Sequence, residues 1–190
     1  PRQAAPRPLP KIEFEKYTLP NGLQVILHVD RKLPIVHVNE WFHVGSKNER
    51  RGRTGFAHLF EHLMFQGSKN AVGEYFTFAE QAGANIRENG VNGTTSNDRT
   101  NYFVTAPSGN LELLLWLESD RIATLADALT KEKLDNQRDV VKNERRQSYE
   151  NQPYGNAELF NQEALWPKDH GYHWSTIGYP ADLKAATVPD

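Results

Sequence analysis

Residues 35–66 read IVHVNEWFHVGSKNERRGRTGFAHLFEHLMFQ, and three kinds of sequence follow one another in them. From Ile35 to Val44 the β-branched and aromatic residues Ile35, Val36, Val38, Trp41, Phe42 and Val44 suit a half-buried strand. From Gly45 to Arg53 the chain is polar and contains glycine, which predicts a loop. From Gly55 to Gln66 the apolar residues Phe56, Leu59, Phe60, Leu63 and Met64 recur at helical spacing. Thr54 is placed to cap that helix and Gly67 to end it.

Upstream, Ile12 to Val29 alternates around Pro20-Asn21-Gly22. Asn-Gly between apolar runs predicts a tight hairpin with both turn residues at positive φ, joining strands Ile12–Thr18 and Leu23–His28. Downstream, a helix is expected over Gly73–Gln81, stopped by Gly83. Asn85–Ser96, rich in Asn, Gly and Thr, reads as strand with turns, and Asn101–Ala106 as a firmer strand. Ser108 or Asn110 then caps an apolar helix over Leu111–Leu125, with Trp116 expected in the core. Thr130 caps another helix, running to about Glu150 and ended by Pro153 and Gly155. A short helix around Ala157–Leu165, an aromatic irregular stretch to Tyr179 and a further element from Asp182 complete the reading. This order is not a βαβ alternation, so the fold class is α+β: a largely antiparallel sheet packed by helices.

The chain has 190 residues, 22 Lys+Arg against 24 Asp+Glu and a formal charge of −2. That balance lacks the basic excess of a nucleic-acid-binding protein, and no apolar run is long enough to span a bilayer. With no cysteine, disulfides, thiol nucleophiles and thiolate ligands are excluded, so any metal must be held by His, Asp or Glu. The opening PRQAAPRPLP reads as a linker over residues 1–11, ahead of a domain over 12–190. Such a start suits an exported, periplasmic bacterial protein.

The residues that carry chemistry are His58-Leu59-Phe60-Glu61-His62. Two histidines four apart share one helix face and can take one zinc ion from the same side. Glu61, between them on that turn, can lean over the metal without ligating it, where a general base must stand to deprotonate an activated water. H-x-x-E-H is the reverse of the metalloprotease H-E-x-x-H. The competing reading is a polar strip on an amphipathic helix. A third ligand must come from elsewhere. On the Thr130–Glu150 helix, Gln137, Val141, Glu144 and Ser148 form one unusually polar stripe. Glu144 could complete a three-ligand site with one position open, the mark of a catalytic zinc. On spacing alone, Glu144 paired with Lys142, Arg145 or Arg146 on a solvated helix is the stronger reading.

The stretch Gly45-Ser46, Gly55-Phe56-Ala57-His58-Leu59-Phe60-Glu61-His62-Leu63-Met64-Phe65-Gln66-Gly67 resembles the signature of the pitrilysin (M16, inverzincin) family of zinc metallopeptidases. The likeness continues through Asn92–Ser96 and Thr100-Asn101-Tyr102, recurs at Gln137–Glu144, and extends near His170–Leu183. It covers almost the whole chain from about Phe14. The resemblance implies a pitrilysin/mitochondrial-processing-peptidase-like fold and zinc held by His58, His62 and Glu144, with Glu61 as catalytic base. It also implies that peptide or small-protein substrates are bound as an added strand along Asn92, Gly93, Thr94 and Thr95. Without it, Asn92–Ser96 reads as an ordinary turn-rich edge.

Three departures from the family pattern stand out. Gln137 occupies a position where the family often has a second glutamate near the metal. It can still hydrogen-bond there but adds no negative charge. The 81 residues between His62 and Glu144 are a few more than usual, and Ala126–Thr130 is the expected place for the extra ones. Family members also have two or more homologous domains enclosing a chamber. The chain is therefore expected to be an N-terminal catalytic domain cut before its last elements, weakly active or inactive without a second homologous domain or subunit. The rival reading is a non-catalytic partner subunit or scaffold. Zinc lyases acting on S-ribosylhomocysteine also use H-x-x-E-H but need cysteine. His28, His37, His43, His170 and His173 are expected outside any metal site, and Arg50, Arg51 and Arg53 in a solvated loop.

Overall fold

The computed structural model describes residues 11–190, so all of the linker-like segment but Lys11 lies outside the described residues. The described residues form two compact units, the first ending at Pro34 and the second spanning Ile35–Asp190.

In the first unit, β1 (Glu15–Thr18) pairs antiparallel with β2 (Gln24–Leu27). The turn is not the expected two-residue one. The Leu19 N–H donates to the Leu23 carbonyl at 2.8 Å and the Gly22 N–H to the Leu19 carbonyl at 2.9 Å, so three residues close the hairpin. Of these only Gly22, at φ +89°, is left-handed. Pro20 supplies the reason. A two-residue loop would make it the ladder partner of Leu23, and proline has no N–H to give. Inside the turn its fixed φ is an asset.

In the second unit, β3 (Ile35–Phe42), β4 (Val91–Thr95) and β5 (Thr100–Pro107) form an antiparallel sheet in the order β3-β5-β4. The helices are α1 (Phe56–Leu63), α2 (Tyr75–Gln81), α3 (Leu111–Ala128), α4 (Lys131–Arg145), α5 (Asn156–Leu165) and α6 (Pro180–Ala185), with one π-helical turn over Arg146–Glu150 after α4. The α+β architecture with an antiparallel sheet is as the sequence predicts. Ala126–Thr130 is mostly helix rather than loop, since α3 runs through Ala128 and Thr130 caps α4 by accepting from the Lys133 N–H.

α1 is held between two cores. Met64 and Phe65, at its end, pack with Tyr75, Val91, Tyr102, Val104, Leu114 and Leu117. Leu59 and Leu63 pack with Leu134 and Val141 of α4, Leu159 of α5, Leu183 of α6 and Ile177 from the loop before α6. Each of these leucines contributes roughly 1.5–3 kcal/mol by leaving water, so α1 cannot shift without disturbing both clusters.

The start of α1 is corrected. Its N-cap is Gly55, at φ +82°, not Thr54. A Cβ on Gly55 would come within 2.9 Å of the Gly178 Cα, so only glycine allows this approach to the loop before α6. Thr54 is instead a tether: its hydroxyl donates to Asp182 at 2.7 Å and accepts from the Tyr179 N–H at 2.9 Å. The cap is supplied by Glu49, whose carboxylate accepts from the N–H groups of Gly55 and Ala57 at 2.9 and 2.7 Å.

Trp116 is also corrected. It is 49% exposed, whereas Leu114, Leu117 and Leu125 are buried. Two residues on from Leu114, it lies about 200° around the helix. The inward stripe is completed by Glu118 and Arg121, both 2% exposed. Leucines on every side of α3 hid which face is inward.

Candidate active site

α1 turns one face towards α4 and the outer strand β4. The Nε2 atoms of His58 and His62 lie 3.2 Å apart. Oε2 of Glu144, from α4, is 3.5 Å from His58 Nε2 and 3.2 Å from His62 Nε2. Four ligands at zinc's usual bond length in a tetrahedral array are about 3.3–3.4 Å apart, so this triangle has the dimensions of one tetrahedral face. The donor set, two imidazoles and a carboxylate, is one that could hold a metal ion, and three such ligands would leave a fourth tetrahedral position open.

The electrostatics suit ligation. Burial pushes His58 down to about 4, against the pull of Glu144, leaving the ring neutral with a free lone pair. A hydrogen bond with His62 holds the Glu144 carboxyl below its usual value despite partial burial. Neutral imidazole and ionised carboxylate are the forms that bind metal. The Nδ1 of His58 is buried and has no partner among the described residues, so packing rather than a hydrogen bond orients that ring. The basic residues that could have drawn Glu144 away are engaged elsewhere: Lys142 with Asp139, Arg145 with Glu150 and the Gly178 carbonyl, Arg146 with Asn143.

The polar stripe of α4 is real for its first three members. Gln137 and Val141 are buried and Glu144 half-buried towards α1, while Ser148 is exposed on the π-helical turn, which breaks the helical register. Gln137 therefore shares the face of Glu144, but its amide has no hydrogen-bond partner among the described residues.

Glu61 is 9% exposed and sits between the two histidines and β4. Its Oε2 accepts a hydrogen bond from the Thr95 hydroxyl at 2.5 Å. Burial raises its pKa, and the Thr95 bond opposes that rise.

Among the described residues, β4 is the outer strand of its sheet and pairs only with β5. Gly90 and Ser96 make the ladder bonds to Thr105 and Arg99. By the antiparallel alternation, Asn92 and Thr94 turn their backbone groups to β5, whereas Gly93 and Thr95 present theirs outward. The outward N–H of Gly93 is engaged by Oδ1 of its neighbour Asn92 at 2.9 Å. Thr94 Oγ1 donates to Asn101 at 2.6 Å. The four edge residues thus fall into two pairs with different surroundings, which the sequence did not separate.

Within the second unit, His37, His43, His170 and His173 lie outside the cluster. Nδ1 of His173 bonds the Trp166 carbonyl at 2.8 Å, and His170 stacks on Trp166 with ring centroids 4.5 Å apart. Arg50 and Arg51 are exposed, while Arg53 pairs with Asp190 and lies over the Phe56 ring. Sequence reasoning missed Glu49, the cap of the histidine-bearing helix. Its spacing, six residues before Gly55, lies outside the usual capping pattern, so no local signal marks it.

With fold and site in place, comparison with known proteins assigns the class. Residues 24–167 match the model of a peptidase family described as Insulinase (Peptidase family M16), and the chain belongs to that family. Among curated proteins it is 35% identical over 187 residues to the zinc protease PqqE of Helicobacter pylori, an alignment that covers 96% of this chain and 39% of that protein. Among solved structures, a protease from Helicobacter pylori superposes with a TM-score of 0.81 at 33% identity, over 94% of this chain and 42% of that one. The first half of the periplasmic protease PqqL from Escherichia coli superposes with a TM-score of 0.79 at 24% identity, over 95% and 39% of the two chains, a likeness of fold. The chain thus spans about two fifths of these proteins. Among the described residues no helix is long and apolar enough to cross a membrane.

Proposed function

We propose that this chain is the catalytic portion of a zinc-dependent metalloendopeptidase, with His58, His62 and Glu144 as the metal ligands and Glu61 as general base. The observation that carries this reading is the convergence of Nε2, Nε2 and Oε2 from two separate helices into a triangle of zinc-site dimensions. Zinc bound there supplies an acidified water and a polarised scissile carbonyl. The chain's own residues do the rest. Glu61 takes the proton of the attacking water and delivers it to the leaving amine. The outward backbone of Gly93 and Thr95 receives a peptide as an added strand, which brings its carbonyl alongside α1. The Asn92 amide oxygen now on the Gly93 N–H gives way to a peptide carbonyl.

The length of the relatives supports a second homologous domain or subunit that completes the substrate chamber. One relative in fold, a ferredoxin protease, has been captured with Arabidopsis ferredoxin, which supports a small protein or peptide as the substrate here. The periplasmic setting of PqqL supports an exported bacterial protein.

Elemental analysis and peptide-cleavage assays on the variants test this reading. Glu61→Gln is expected to keep about one zinc per chain and lose hydrolysis by 10²-fold or more. His58→Ala is expected to lose the zinc itself. A Glu61→Gln variant cleaving at the parent rate would remove Glu61 from its role.

A further inference from the structure

We infer that Thr95 is a positioning residue for Glu61, acting together with the bare Cα of Gly93, so that the strand proposed to receive peptide also sets the general base. The inference rests on the function proposed above and deepens it.

Residues two apart on a strand share a face. Gly93 and Thr95 both face α1, and Glu61 is lodged against the two of them. Thr95 supplies the polar contact, its hydroxyl donating to Oε2 of Glu61 at 2.5 Å. Threonine is stiff at χ1 in a strand, so the direction of that hydroxyl follows from the backbone of β4. The bond ties one carboxylate oxygen and leaves Oε1 for the water's proton.

Gly93 supplies the space. A Cβ there would lie 2.9 Å from Glu61 Cγ, 3.2 Å from its Oε1 and 3.2 Å from Phe65 Cε2. The φ of Gly93 is not in the left-handed region, so the need for glycine here is steric rather than conformational. The opposite wall does not yield either. Phe65 stacks on Phe76 at 4.6 Å and 15° and meets Tyr102 edge-on at 5.8 Å. Tyr102 is the cross-strand partner of Gly93 and is 2% exposed. Glu61 therefore has a hydroxyl to hold it and a slot, open only because residue 93 lacks a side chain, to sit in.

The same two residues turn their backbone groups outward to the free edge. A peptide added there would lie one strand-width from the carboxylate that Thr95 orients. Base and substrate strand would then be placed by one element, which keeps the geometry of attack from depending on a loop.

The test compares Thr95→Val, which keeps the shape and removes the hydroxyl, with Thr95→Ser, which keeps the hydroxyl. Both are measured in the full-length zinc-loaded protein by steady-state peptide cleavage and in crystals of the variants. Loss of one orienting hydrogen bond predicts that Thr95→Val lowers kcat about tenfold, with KM and zinc content unchanged. Thr95→Ser is predicted to stay within about twofold of the parent. In crystals, the Glu61 carboxylate is predicted to leave its place in Thr95→Val and in Gly93→Ala, and to keep it in Thr95→Ser. A Thr95→Val enzyme with parental kcat, an effect confined to KM, or a failure of serine to rescue would overturn the inference. So would a Glu61 carboxylate unmoved in the valine crystal. That crystallographic result decides the positioning role even if no peptidase activity is found, an outcome that would instead defeat the proposed function.

Discussion

Glu40 lies in the inward row of β3, where a strand's pleat would ordinarily place an apolar side chain. Its neighbours are Glu118 and Arg121 from α3 and Tyr75 from α2. Arg121 donates to Glu118 through Nε at 2.7 Å and lies 4.2 and 4.7 Å from the ring centres of Tyr75 and Tyr102, and the Tyr75 hydroxyl donates to Glu118. The single guanidinium is committed to Glu118. Burial, and then the Glu118 charge, push Glu40 up to about 8. A folded-state pKa above the unfolded one means that the native chain holds a proton the unfolded chain has released. Stability is then greatest below about pH 4.5 for this group and falls as pH rises through about 8. Glu40→Gln, which keeps the shape and cannot ionise, should flatten the decline of Tm between about pH 4.5 and 8. An unchanged decline in a thermal-melt series across pH would show that Glu40 does not titrate in that window. No local pattern marks this residue, because one acid among Asn39, Glu40 and Trp41 looks like the solvent side of a strand.

At the scale of elements, α1 and α3 show how far periodicity reaches. The extent of α1 and its apolar face could be read because Leu59 and Leu63 recur at helical spacing. Its cap could not, because Glu49 reaches it from across a loop. Glu49 is itself pushed up to about 7 by burial, against the hydrogen bonds from Ala57 and Gly55. Truncation to Glu49→Ala leaves two N–H groups at the start of α1 without their acceptor. It should cost about 1–2 kcal/mol in denaturant unfolding, in the range of a lost helix cap. A loss near zero would mean that water replaces the carboxylate fully. In α3 the apolar residues Leu111, Leu113, Leu114, Leu115, Trp116 and Leu117 circle the axis, so the pattern identifies a helix without identifying its inner face. Leu114 is 0% exposed and Trp116 49%. Leu114→Ala should cost about 2–5 kcal/mol, whereas Trp116→Gln should change stability by no more than about 0.5 kcal/mol. Equal losses at the two positions would put the tryptophan back in the core.

Across the whole molecule, function depends on elements far apart in sequence. α1 is fixed between two cores, α4 brings its carboxylate across one of them, and β4 stands at the edge of the three-stranded sheet beside both. The pair His58 and His62 was legible because four residues make one helical turn. Glu144 was not legible from spacing, since its separation from His62 says nothing about where α4 packs. Local sequence even favoured a solvated ion pair, and only the likeness to the M16 peptidases singled it out. The structure shows why that local reading fails: Val141, one turn before Glu144, is fully buried against α1 with Leu134, and this anchors the carboxylate on the inward side. Peptidase chemistry here requires that carboxylate and the two imidazoles to share one cation. Anomalous scattering recorded at the zinc edge from crystals of the protein tests this directly. The prediction is a single strong peak about 2.0–2.2 Å from Nε2 of His58, Nε2 of His62 and a carboxylate oxygen of Glu144. A zinc-supplemented crystal with no peak there, or with Glu144 turned away from a metal held by other residues, would contradict it.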